Sequence, residues 1–222
     1  SAFGPGIYDM KGGAHGAHRG FCELIAEGRD DLPPLTHLFV SDEEVGSPTS
    51  RTLIERLAAE AAVVFVTEPA REGGKIVTAR KGVARFVVEA KGRPAHSGSR
   101  HMDGRSAIRE IARLVLALED MTDYETGLTV NVGTVEGGTG VNVVPARARM
   151  EVEARVPTLE AAERIEAVMA GLRPADPDVA LTVTGGLNRP PYEKSAEIAR
   201  LFERARGFAA EIGWTLEDLA TG

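Results

Sequence analysis

The spacing of apolar positions changes character near residue 82. Before it, Phe21, Leu24 and Ile25 recur with Gly16 at helical spacing and predict a helix over 13–28. The run LTHLFVSD at 35–42 predicts a short strand that ends in acids. Pro48 stands where a first helical turn would begin, and Leu53, Ile54 and Leu57 continue it at helical spacing. AAVVFVT at 61–67 is wholly apolar, as a strand of a parallel sheet buried on both faces would be.

After residue 82 the period is two. Phe86, Val88 and Ala90 alternate with Arg85, Val87 and Glu89, which predicts a half-buried strand. Ile108, Ile111, Ala112, Val115 and Leu118 predict an amphipathic helix over 104–119. Strands follow over 128–135 and 147–155, where Arg147, Arg149, Glu151, Glu153 and Arg155 alternate with Ala148, Met150, Val152 and Ala154, leaving one face polar. A helix from Thr158 to Met169, capped by the Thr, leads to a last strand, VALTVT at 179–184. The order is βαββαβ, a ferredoxin-like unit. The predicted fold is therefore α/β: a first domain made of 1–80 and 186–222, with a lid of 81–185 inserted into it. Gly185-Gly186 and Arg189-Pro190-Pro191 read as the return linker, and 195–212 as a helix belonging with the first domain.

Composition narrows the class. Hydrophobic residues make up 43% and charged residues 27% of the 222, the balance of a soluble globular protein. No apolar run reaches the roughly 18 residues needed to span a bilayer, so no membrane partner is expected. A net charge of -7 argues against nucleic acid, whose affinity comes largely from Lys and Arg neutralising phosphates. A single cysteine, Cys22, excludes a disulfide framework and reads as a buried helix residue. The chain opens SAFGPGIYDM and stops at Thr221-Gly222, so both ends read as cut; with no signal peptide in view, the expected compartment is cytoplasmic.

The candidate chemistry lies in acids that follow apolar runs or adjoin glycine-rich turns: Asp9 in YDMKGG, Glu43 and Glu44 in SDEEVG, and Glu68 in TEPA. Loop acids taken singly are usually solvated. In open α/β sheets, however, catalytic groups collect beyond the carboxyl ends of strands. Carboxylates gathered there without Lys or Arg beside them repel one another unless a divalent cation compensates them.

The strings GIYDMKGG, SDEEVG, TEP, GRPAHSG and GVNVVPARARMEVEARV resemble, in order and over nearly the whole chain, the metal-dependent aminoacylase and carboxypeptidase family. That family includes glutamate carboxypeptidase, acetylornithine deacetylase and succinyl-diaminopimelate desuccinylase; TEP with NRPPYE is most similar to the first. The resemblance implies a zinc-exopeptidase-like α/β catalytic domain, incomplete here, with an inserted lid that forms a homodimer. It implies that Asp9 bridges two zinc ions, that Glu44 ligates one and Glu68 the other, and that Glu43 is the general base. It further implies that His96 donates a hydrogen bond to the developing oxyanion from across the dimer interface, and that Asn142, Arg155 and Arg189 contact substrate.

The implied substrate is a small peptide or N-acyl amino acid cut next to a free carboxylate. Two zinc ions are implied per complete subunit, weakly held or absent in this stretch, because the family's two metal-binding histidines fall outside it; the stretch alone is expected to be inactive. Taken without the resemblance, His96 reads as a turn cap and Arg155 as a surface partner of Glu153. His15, His18, His37 and His101 match no motif, and Asp42 has no assigned role. GGTG at 137–140 lacks a following Lys and reads as a strand connection rather than a phosphate loop. The rival readings are a non-catalytic dimerisation or binding module, and a magnesium-dependent phosphoryl-transfer enzyme using Asp9, Glu43 and Glu44.

Overall fold

The computed structural model describes residues 3–28 and 31–222. Two compact units, Ser1–Arg71 and Glu72–Gly222, divide the chain, and each is described by itself. The first contains helices α1 (Gly12–Ala26) and α2 (Arg51–Glu60). The second contains β1 (Ile76–Arg80), β2 (Gly82–Lys91), α3 (Ala107–Glu119), β3 (Thr129–Gly137), β4 (Arg147–Val156), α4 (Leu159–Gly171), β5 (Ala180–Arg189), α5 (Ala196–Glu211) and β6 (Asp218–Thr221).

The period-two stretches form an antiparallel sheet in the order β3-β4-β2-β5. Alternation sends Phe86, Val88 and Ala90 of β2 and Met150, Val152, Ala154 and Val156 of β4 to one face. There they pack with Ile111, Leu114 and Leu118 of α3 and Ile165 and Met169 of α4 into a single buried cluster. The opposite face carries Arg85, Glu89, Arg147 and Glu151, all exposed. This is the predicted βαββαβ unit. Each of its helices is started by a hydroxyl: Ser106 accepts from the Arg109 N–H at 3.2 Å and Thr158 from the Ala161 N–H at 3.1 Å.

Four details differ from the pattern. The inward face of α3 runs through Ala107, Ile111, Leu114 and Leu118, so Ile108 and Ala112 point to solvent. The buried acid on that face, Glu110, takes a hydrogen bond from Arg113 and the Ala175 amide, which meets the cost of burying its charge. The last lid strand is longer than predicted: β5 runs through Gly185-Gly186 to Arg189 and pairs with β2 throughout. Gly185 has a φ of 113°, and a Cβ there would sit 2.1 Å from the Arg85 carbonyl oxygen, so the glycine marks a close strand crossing rather than a linker.

Unforeseen by the pattern, β1 and β6 form a parallel two-stranded sheet. The segments just before β2 and just after β5 lie side by side, because Arg80 and Tyr192 exchange both backbone hydrogen bonds, at 2.9 and 3.0 Å. A Cβ on Gly82 would fall 2.6 Å from the Pro191 nitrogen.

In the first unit α1 forms where predicted and α2 starts three residues after Pro48. The strands predicted over 35–42 and 61–67 do not form: among the described residues of this unit there is no β ladder and no buried side chain. Phe65 and Val66 are 76% and 72% exposed. An apolar run becomes a strand only through ladder partners, and neither run has one here. Cys22 is likewise exposed, 3.6 Å from the His18 ring, and not buried as its helical spacing indicated.

The turn between α3 and β3 gives a first test. Asp123 accepts from the amides of Glu125 and Thr126 and the Thr126 hydroxyl, and these bonds hold its carboxyl below the usual range. A depressed carboxyl pKa stabilises the fold above its unfolded value, about 3.9, and that stability is lost as pH falls through the folded value. Asp123→Ala should therefore lower the denaturation midpoint at pH 7, with the gap to the parent closing at strongly acidic pH.

Candidate active site

In the first unit, Asp9 lies in a single π turn, Ile7–Lys11, that leads into α1. Two contacts draw this turn to the Glu68 segment. The Tyr8 hydroxyl donates to the Ala70 carbonyl at 3.1 Å, and Gly13 lies so close to Thr67 that a Cβ would stand 1.9 Å from its carbonyl oxygen. Gly13 is thus needed for the approach. Glu43 and Glu44 occupy a 3₁₀ turn, Glu43–Val45.

These acids sense one another. Partial desolvation raises the Glu68 carboxyl pKa, followed by the charges of Asp9 and Glu43; Arg71 opposes the shift and Glu44 adds to it. Hard oxygen donors under mutual repulsion fit a divalent cation in kind. Among the described residues, no group of three or more His, Cys, Asp or Glu side chains is close enough to hold one. His18, His37 and Phe39 form a ring cluster, with His37 and Phe39 centroids 4.2 Å apart, consistent with packing.

Asp42, left without a role by its motif, is the anchor of the glutamate turn. One carboxylate oxygen accepts from the Thr49 amide and hydroxyl at 2.9 and 2.8 Å, and the other from the Ser50 hydroxyl at 2.6 Å. The Ser50 and Thr49 bonds depress its pKa far below the carboxylate range. The sequence offers only a Thr-Ser pair seven and eight positions on, at a helix start; the tie itself depends on how the loop between them folds.

In the lid, the β2–β4 ladder continues irregularly beyond Lys91 and Arg147. There the Ser97 amide donates to the Asn142 carbonyl at 2.9 Å, and His96 bridges Val143. His96 and Asn142, both exposed, are thereby neighbours, Asn142 lying in the connection between β3 and β4. The His96 Nδ1 accepts from the amides of Gly98 and Ser99, each at 3.2 Å. Two donors at Nδ1 require a lone pair there, which puts the ring proton on Nε2. The ring caps a turn with one nitrogen, as its loop position indicated, and leaves the other as a donor.

Arg155 and Arg189 sit at the other end of the lid sheet, flanking Val83 on the two neighbouring strands. From Arg147 to Arg155 is eight strand steps, about 26 Å. One protomer therefore does not bring its His96–Asn142 pair and its Arg155–Arg189 pair together. Glu153 accepts from Arg155 Nε at 2.9 Å and from Arg85 Nε at 2.9 Å. The pairing of Arg155 with Glu153 was legible from their spacing, whereas Arg85 entered only through cross-strand register.

The chain thus holds a βαββαβ lid in its second unit and, in its first, turns that bear Asp9, Glu43 and Glu44. Residues 78–176 match the family model of the peptidase dimerisation domain, so the chain carries the M20 peptidase dimerisation domain. It is 31% identical over 220 residues to carboxypeptidase G2 of a Pseudomonas species, covering 97% of this chain and 52% of that protein. Acetylornithine deacetylase of Myxococcus xanthus is 32% identical over 151 residues, which is 63% of this chain and 39% of that protein. The crystal structure of an aminopeptidase from Bacillus cereus shares the fold, with a TM-score of 0.55 at 24% identity over 70% of this chain and 42% of that one. The chain thus spans about half the length of the first of these relatives, or less.

Asp42→Ala should release the glutamate turn while leaving the lid intact. Amide exchange at Thr49 and Ser50 should speed up, with exchange in β2 and β4 unchanged; unchanged rates at Thr49 and Ser50 would remove the anchoring role.

Proposed function

We propose that the intact protein is a metal-dependent amidohydrolase or carboxypeptidase that cuts an amide bond next to a free carboxylate, such as that of a C-terminal glutamate or an N-acyl amino acid. The observation that carries this reading is the approach of the Asp9 turn to the Glu68 segment, through the Tyr8–Ala70 hydrogen bond and the close contact of Gly13 with Thr67, in a chain that carries the peptidase dimerisation domain. Asp9, Glu44 and Glu68 are the residues that would hold the zinc. When bound, the metal polarises the scissile carbonyl and makes water nucleophilic near neutral pH. Glu43 takes the proton of the attacking water and hands it to the leaving amine, a task for a carboxylate beside the nucleophile but off the metal. Asp42 fixes the turn from which Glu43 reaches the bond.

The separation of the two lid clusters supports a site shared between subunits. Arg155 and Arg189 serve the substrate carboxylate of their own protomer, as planar guanidinium groups suited to carboxylates. His96 of the partner subunit then supplies its Nε2–H donor to the developing oxyanion, beside Asn142 of the partner subunit. The interface in this reading is the outer face of α3, where Ile108, Ala112 and Leu116 are exposed, together with the edge strand β3 and its exposed Val135. Edge strands that are neither covered nor charged invite pairing, and two-fold closure is the commonest arrangement.

Glu43→Gln in the intact protein should cut turnover of N-acyl amino acids and glutamyl dipeptides by about 100- to 10,000-fold while zinc content stays unchanged. Glu44→Gln and Glu68→Gln should lose activity together with zinc. Metal loss in Glu43→Gln with retention in Glu44→Gln would exchange the two assignments, and unchanged activity in all three would end the hydrolase reading.

Leu116→Asp should convert a dimer to a monomer by light scattering and lower turnover with it. A parent protein that is monodisperse and monomeric at high concentration would refute the shared site.

A further inference from the structure

The loop that carries His96 has no apolar anchor. None of residues 91–104 is buried, and Met102, the large hydrophobic side chain within it, is 85% exposed. Its shape is therefore set by polar ties. The neck is closed by two backbone hydrogen bonds between Arg93 and Arg105, at 3.0 and 2.9 Å. Gly92 permits that closure, since a Cβ there would stand 2.0 Å from the Arg105 carbonyl oxygen.

One side chain spans the neck. Arg105, 27% exposed, donates from one terminal nitrogen to the carbonyls of Met102 and Gly104, at 3.1 and 2.8 Å. Its other edge forms ion pairs with Asp176 at 3.2 Å and Asp178 at 2.9 Å, in the connection between α4 and β5. Arg93 joins the same group, donating to the Asp103 carbonyl at 2.6 Å and to Asp178 at 3.4 Å. The two aspartates are themselves fixed, because the Asp178 amide donates to the Asp176 carboxylate at 2.9 Å. A planar fork with two faces is suited to this bridge; a lysine ammonium, a point charge, is not.

We propose that Arg105 is a positioning residue: by tying the His101–Asp103 turn to Asp176 and Asp178, it holds the 93–105 loop so that the His96 ring stays capped at Nδ1 and keeps its donor proton on Nε2. Arg100 links the ring to the tie, for its amide donates to the His96 carbonyl and its side chain to Asp103. The lid core is remote from this effect, since Arg105 touches loop carbonyls and surface aspartates. The inference rests on the reading of His96 as the oxyanion donor only for its effect on turnover; the placement of the ring stands independently of it.

The test has two parts. Long-range ¹⁵N–¹H spectra of the chain at neutral pH should show His96 with an unprotonated Nδ1 and a protonated Nε2. In Arg105→Met the two nitrogens should move toward each other as the tautomers mix. Arg105→Lys, which keeps the charge, and Asp178→Asn should shift them in the same direction by less. Unchanged His96 nitrogens in Arg105→Met, with the variant folded by circular dichroism, would overturn the proposal.

In the intact protein, Arg105→Met should lower kcat by up to about 100-fold, the scale of a 1 Å misplacement of a reacting group. KM should change by less than about threefold, since the lost contact matters only in the transition state. On a His96→Ala background the same substitution should cost nothing further; an equal loss in both backgrounds would overturn the action through His96. If His96→Ala itself leaves turnover unchanged, the oxyanion reading fails while the spectra still decide the positioning role.

Discussion

The lid depends on the β2–β4 ladder. These are the two central strands, and their pairing fixes, residue by residue, which side chains enter the core and which face outward. A slip of one position would carry Phe86, Val88, Met150 and Val152 out of the buried cluster and turn Arg85 and Glu153 into it. The cost of burying those charges makes the register strongly specified. The same ladder, followed past its two ends, places the candidate residues: one extension pairs the His96 segment with that of Asn142, and the other end holds Arg155 of β4 between β2 and β3. Core packing and site geometry are two results of one alignment.

The lid was largely legible in the sequence because its signals are local and repeated. The strict alternation in 147–155 announces a strand with one wet face, and Thr158 announces a helix start; the apolar pattern places the start of α3 at 104, two residues before its Ser106 cap. What was not legible depends on partners distant along the chain. The runs at 35–42 and 61–67 are hydrophobic enough for strands, yet hydrophobicity names no ladder partner, and in this chain they remain unpaired and exposed. The IVTAR and DLAT segments pair across most of the chain's length, with too few residues for a periodic signal. Gly185-Gly186 has the composition of a linker; only the approach of the Arg85 carbonyl shows why a strand needs glycine there.

The site residues divide in the same way. Asp9, Glu43, Glu44 and Glu68 were found through motifs, and the structure adds that they influence one another through the Glu68 carboxyl. The groups that orient them were harder to find. Asp42 and Arg105 act through hydrogen bonds and ion pairs to backbone and to other side chains, and such ties follow from loop conformation rather than from residue type. A charged residue in a loop has the same letter whether it is solvated or holds a turn.

The paired crossing at Arg80 and Tyr192 bears on how a lid could enter a chain at all. An insertion normally charges its host the entropy of closing a long loop, growing with the logarithm of its length. Here the two ends of the 82–191 segment are clamped to each other by reciprocal hydrogen bonds, with Gly82 against Pro191, so within the second unit that segment closes on itself as a hairpin turn does. A segment whose ends meet leaves the path of the chain on either side unaltered, whatever its own length.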